Sequence, residues 1–93
     1  MDIIQHWQQI PDNTDILITH GPPNMILDKT QRGVLAGCRD LLETIIKIKP
    51  KFHLFGHIHE AYGVYKSEDT VFINGSVLDH KYRLKNKPVL FEI

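Results

Sequence analysis

Six histidines occur in 93 residues, and two of them, His57 and His59, stand i, i+2 directly after Gly56. That spacing suits metal chemistry. Along extended chain, side chains two apart project to one side, so both imidazoles can face a single volume. Gly56 permits a sharp turn or a close backbone approach ahead of them. A third histidine, His20, follows the apolar run Ile16-Leu17-Ile18-Thr19 and precedes Gly21-Pro22-Pro23. Neutral imidazoles bind Zn²⁺ at about 2.0–2.1 Å, so three of them brought together form a candidate metal site. A His-x-His alone is a weak signal, more often ordinary surface or packed histidine than a ligand pair. The decision therefore rests on whether folding carries His20 to the pair.

Ile16-Leu17-Ile18-Thr19 is short, β-branched and apolar on both faces, which predicts a buried strand. Gly21-Pro22-Pro23 ends it, because proline lacks a ladder donor and restricts the residue before it. From Val34 the rhythm is helical. Val34, Leu35, Cys38, Leu41, Leu42, Ile45 and Ile46 share one face, while Arg39, Asp40, Glu43 and Lys47 occupy the other, with Glu43 and Lys47 at i, i+4. Lys47 and Lys49 suit the carboxyl end of the helix dipole, and Pro50 stops the helix. A second strand over 51–55 follows. Strand, helix, strand predicts a parallel βαβ unit with a right-handed crossover. His20 and Gly56-His57 then both fall at carboxyl ends, where open α/β sheets place their ligands. Adjacent strands lie about 4.8 Å apart, close enough for His20, His57 and His59 to reach one ion.

The remaining segments read as support. Asp2 can cap a short helix with Ile3, Ile4, Trp7 and Ile10 on one face, ended by Pro11. Residues 12–15 are turn chemistry, and 24–33 read as a loop with one helical turn. The runs 61–66 and 70–74 flank Ser67-Glu68-Asp69 as an antiparallel hairpin. Asn74-Gly75 makes another turn; Asn74-Gly75-Ser76 also fits a glycosylation sequon, an accidental match without a secretory signal. Residues 79–87 form a basic loop around Tyr82, either simply solvated or in contact with a phosphate or nucleotide, with His80 as one such contact. Pro88 opens a terminal strand over 89–93 at a sheet edge. His6 and His53 fall within elements and read as structural.

The length suits one small domain with a modest core. Eleven basic residues balance eleven acidic ones, which excludes the overall field that general nucleic-acid or acidic-membrane binding needs. The first residues lack a basic n-region and a sustained apolar core, and no run is long enough to span a bilayer, so the expected location is cytoplasmic. Cys38 is the single cysteine. It can form no internal disulfide and reads as a small hydrophobe on the helix.

Three motifs in order, Thr19-His20-Gly21-Pro22-Pro23, Phe55-Gly56-His57-Ile58-His59-Glu60-Ala61-Tyr62-Gly63 and Asn74-Gly75-Ser76, resemble the calcineurin-like metallophosphoesterases, in particular their metallophosphoesterase-domain-containing branch. The resemblance implies an α/β (α+β) fold, a four-layer β-sandwich flanked by helices, of which residues 1–93 would form a partial domain, the C-terminal half. It implies hydrolysis of phosphomonoesters or phosphodiesters at a centre of two divalent ions, Mn, Fe or Zn. His20 and His57 would ligate the second ion and His59 the first, with Gly21 and Gly56 as motif glycines. Asn74, His80 and Arg83 become candidate contacts for a phosphoester or nucleotide substrate. The family's Asp-x-His, Gly-Asp-x-x-Asp and Gly-Asn-His motifs do not occur here. Without the bridging carboxylate, two cations would repel each other with little between them to offset it. Two readings therefore stand: a metal-dependent phosphoesterase of which this chain supplies the histidine ligands, or an inactive metal-binding or interaction remnant that associates through open sheet edges. Metallo-β-lactamase-like and cupin-like sites fit less well, since Glu60-Ala61-Tyr62 follows the histidine pair.

Overall fold

The computed structural model describes residues 3–78 and 81–92, and the side chains of Ile3 and Ile4 lie outside that description. In chain order the elements are α1 (Ile3–Trp7), β1 (Ile16–Ile18), α2 (Arg39–Ile48), β2 (Phe52–Phe55), a 3-10 turn (His59–Ala61), β3 (Gly63–Lys66) and β4 (Val71–Asn74). The strands form one mixed sheet in the order β1-β2-β4-β3. β1 and β4 both run parallel to β2, and β3 returns antiparallel to β4. The expected βαβ unit and the expected hairpin are both present. The result is a small mixed α/β domain, one sheet with helices, as an α+β fold requires.

The register puts Leu17, His53 and Phe72 in one row across the sheet, with Phe55 beside Asn74 two residues further on. Strand periodicity sends these residues to one face, and α2 covers it. Leu41 and Ile45, one turn apart, join Phe55 and Phe72 in the buried core, with Trp7, Leu17, Ile26, Leu27 and Cys38 packed around them. α2 ends where Lys49 turns left-handed at φ 56° and returns its N–H to Ile45 O at 2.8 Å; Pro50 follows. That is a capped stop of the kind the sequence predicts.

Four expectations need correction. The helix begins at Arg39, not Val34. Val34 and Leu35 are exposed, and Leu35 pairs as an isolated bridge with Lys29. The reason is Gly37, where a Cβ would stand 2.2 Å from Pro23 O; the chain passes so close to Pro23 that it cannot also be coiling. β1 is an edge strand rather than a buried one, and Ile18 is 72% exposed. Residues 89–92 add no strand. They lie over the second face of the sheet, where the Phe91 ring meets that of Phe52 at 4.7 Å between centroids. Residues 24–33 hold no helical turn. Met25 and Leu27 take positive φ there, and buried Asp28 organises the loop by accepting from Met25 N–H at 2.8 Å and Gly37 N–H at 2.9 Å.

Candidate functional site

β1 and β2 end side by side, as parallel neighbours must. The ladder continues past β1, with Thr19 N–H donating to Leu54 O at 3.0 Å and Gly56 N–H to His20 O at 3.1 Å. His20 and His57 thus leave the sheet from adjacent strand ends. Their rings meet, with His20 Nε2 3.0 Å from His57 Nδ1 and centroids 4.6 Å apart. Gly21 lies beneath this pair; a Cβ there would stand 3.9 Å from His57 Cδ2, an ordinary contact.

His57 does not sit on extended chain. Ile58 N–H returns to Gly56 O at 2.8 Å across His57, whose φ is 68°. This is the rare, strained form of γ-turn. A positive φ on a non-glycine residue costs about 1–3 kcal/mol and persists only where its surroundings impose it. The strained position is therefore His57 rather than the motif glycine Gly56, at which a Cβ would be 3.3 Å from Ser76 Oγ. Ile58 is buried and anchors the turn, while His57 is exposed and His59 half-buried. His59 opens the 3-10 turn, and the two-residue alternation expected of a strand is not formed.

What imposes this turn is Asn74, at the end of β4. Its side chain is fully buried, and Nδ2 donates to Ile58 O at 2.9 Å and to Leu27 O at 3.2 Å. Its Oδ1 accepts from Ser76 N–H at 3.1 Å. With both polar atoms of the amide engaged inside the chain, Asn74 supports the histidine turn in this structure. Arg83 is exposed on the basic loop. His80 lies outside the described residues.

His57 and His59 line one cavity of about 480 Å³, together with Thr30, Gln31, Arg32 and Tyr82. Tyr82 stands edge-on to His59 at 5.0 Å. The loop that carries it is tied down where Tyr62 Oη donates to Lys87 O at 2.7 Å and Lys85 and Asn86 N–H both donate to Val77 O. Opposite, Glu60 Oε2 accepts from Gln31 N–H at 2.8 Å and holds that wall. Arg32 and Gln31 carried no signal in the sequence, because their loop lacks any periodic pattern to place it.

Among the described residues no group of three or more His, Cys, Asp or Glu side chains is arranged to hold a metal ion. The pair His20 and His57 nevertheless fits one. Two imidazole nitrogens bound to a single ion at about 2.0–2.1 Å stand about 2.9–3.4 Å apart for angles between octahedral and tetrahedral. In this structure the two nitrogens share a hydrogen bond across 3.0 Å, one ring donating and the other accepting, and that separation also falls in the metal-bound range. Two donors make half a site.

Metallophosphoesterase domain-containing protein 1 of Homo sapiens is 42% identical over 96 residues, covering 98% of this chain and 28% of that protein, and its Mus musculus counterpart matches equally. The sequence is homologous to a C-terminal part of the metallophosphoesterase domain-containing proteins. A UPF0046 protein of Caenorhabditis elegans is likewise 42% identical over 97 residues, covering 98% of this chain and 34% of its own length. No family model matches. The chain spans 28% to 34% of the length of these relatives.

Proposed function

We propose that the chain supplies the imidazole part of a divalent-metal centre for phosphoester hydrolysis. The observation that carries this reading is the approach of His20 Nε2 to His57 Nδ1 at 3.0 Å at the ends of two adjacent parallel strands. The homology to metallophosphoesterase domain-containing proteins supports the reaction class. Mn, Fe or Zn suits such donors, and a complete domain would hold two ions. When bound, the ions supply a hydroxide at neutral pH and polarise the phosphoryl oxygens.

The chain's own residues then have separable tasks. His20 and His57 would hold one ion, and His59, across the cavity wall, would hold the other. Arg32 offers a cation for phosphate oxygens, since a guanidinium matches them with paired donors. Tyr82 gives the cavity an aromatic wall suited to the organic part of a small phosphomonoester or phosphodiester, nucleotides included. Arg83 and His80 remain proposed contacts from the basic loop. The carboxylate and amide ligands would come from the two thirds of the relatives' length that this chain does not span.

Titration calorimetry with Zn²⁺ and Mn²⁺ tests the reading. The informative variant is His57→Gly, which deletes the ring but suits the positive φ, so weakened binding is not an unfolding artefact. We expect His57→Gly to bind at least about tenfold more weakly than the unaltered chain. A polypeptide extended to the relatives' full length should also release nitrophenol from bis-p-nitrophenyl phosphate with Mn²⁺. Equal ion affinity in His57→Gly, or no turnover in the extended polypeptide, would overturn it. A second reading, an inactive interaction module, is favoured by the open β1 edge and would be the outcome if ions bind without turnover.

A further inference from the structure

His53 occupies the middle of β2, fully buried, with its ring against Phe55 and Phe72. Its Nε2 lies 2.9 Å from Thr19 Oγ1, and the same hydroxyl donates to Gly21 O at 2.7 Å. A hydroxyl has one proton. Given to Gly21 O, it leaves Oγ1 only as an acceptor toward the ring, so His53 must carry its proton on Nε2. Nδ1 is then the bare nitrogen, and it is buried without a partner, as such a nitrogen among aromatic rings would be.

The geometry points to Thr19 as the positioning residue for His20, with His53 as its anchor. The hydroxyl reaches forward two residues and draws the Gly21 carbonyl back over the end of β1. Between those two points lies only His20, whose own carbonyl is held by Gly56 N–H. The backbone of this residue is therefore fixed on both sides, and its ring, though exposed, stands against that of His57. His53 makes the bracket rigid, because its proton donor is buried in the sheet and has no alternative acceptor. This deepens the metal-centre reading and rests on it for its functional meaning. The ring placement itself can be read without any metal.

The experiment is NMR on the isotope-labelled chain without metal, comparing wild type with Thr19→Val and Thr19→Ser. Val keeps the branched shape and loses the hydroxyl; Ser keeps the hydroxyl. Wild type and Thr19→Ser should show His53 as the Nε2–H tautomer and a nuclear Overhauser contact between the His20 and His57 rings. Thr19→Val should lose that contact while the β2–β4 backbone contacts persist. Persistence of the ring contact in Thr19→Val, or failure of Thr19→Ser to restore it, overturns the assignment. Should Thr19→Val not fold, the unaltered chain still decides: the Thr19 hydroxyl proton should be visible and protected from exchange, and a freely exchanging one refutes the bracket. Zn²⁺ titration follows as a separate arm, with Thr19→Val weaker by about 10- to 100-fold and Thr19→Ser near wild type. Absence of Zn²⁺ binding in all three would count against the phosphoesterase reading and leave the ring contact to decide the positioning role.

Discussion

At His53, burial alone determines the chemistry of a titratable group. Protonation would place a cation among Phe55 and Phe72 and give Nδ1 a proton with no acceptor, so desolvation lowers the pKa from 6.5 to about 4. The unfolded chain, whose imidazole is hydrated, takes up a proton near pH 6.5 while the folded one does not. Stability from this residue is therefore complete above about pH 6.5 and falls as the pH drops toward 4, by about 3 kcal/mol in all. His53→Gln removes the titration and keeps a donor for Thr19. Urea denaturation between pH 7 and 4 should show a distinctly shallower loss of stability in His53→Gln than in the unaltered chain. Parallel curves would mean that the ring is hydrated in solution.

Among the elements, the loop between Pro22 and α2 depends on Gly37 more than on any apolar residue in it. A Cβ at Gly37 would meet Pro23 O at 2.2 Å, Pro23 C at 2.5 Å and Asn24 N at 2.8 Å, all backbone atoms that no side-chain rotation can clear. Gly37→Ala must push apart the Pro23–Cys38 bridge and, with it, the two Asp28 bonds that close the loop. We expect a loss of about 3 kcal/mol in chemical denaturation, at the upper end for overpacking. An unchanged midpoint would show that the segment relaxes freely. This position also marks where sequence reasoning stops. β2, the hairpin and the later turns of α2 are legible because their side chains alternate or repeat against one face, as Leu41 and Ile45 do. Val34 and Leu35 carry the same spacing by coincidence, and only the close crossing at Pro23 prevents a helix there. At the site, the meeting of His20 and His57 follows from strand connectivity and was legible. The support from Asn74 was not, since a buried amide bonded to distant carbonyls has no local signature.

On the scale of the molecule, the two faces of the sheet are unequally covered among the described residues. α2, with Trp7 packed against the same core, covers the face that carries Leu17, Phe55 and Phe72, whereas on the opposite row Ile73 is buried beneath the segment of Val77 and residues 88–91 and the two outer members, Ile18 and Val64, stay open. Ile18 is 72% and Val64 48% exposed, and Leu90 beside them is 94% exposed. β1 also presents an edge with no strand beyond it among the described residues. Unpaired edges next to apolar surface invite pairing with another chain. In the relatives, about two thirds of the polypeptide lies outside the matched part; this chain in isolation should satisfy the surface with copies of itself. Sedimentation at about 0.1 mM should therefore show reversible self-association. Ile18→Lys places a charge on that edge strand and removes an apolar contact, and should weaken the association by about tenfold, equivalent to about 1.4 kcal/mol. Because Ile18 lies outside the α2 core, its replacement should leave the His20–His57 contact intact. A chain that stays monomeric at that concentration would mean that residues 88–92 already cover enough of the face to satisfy it.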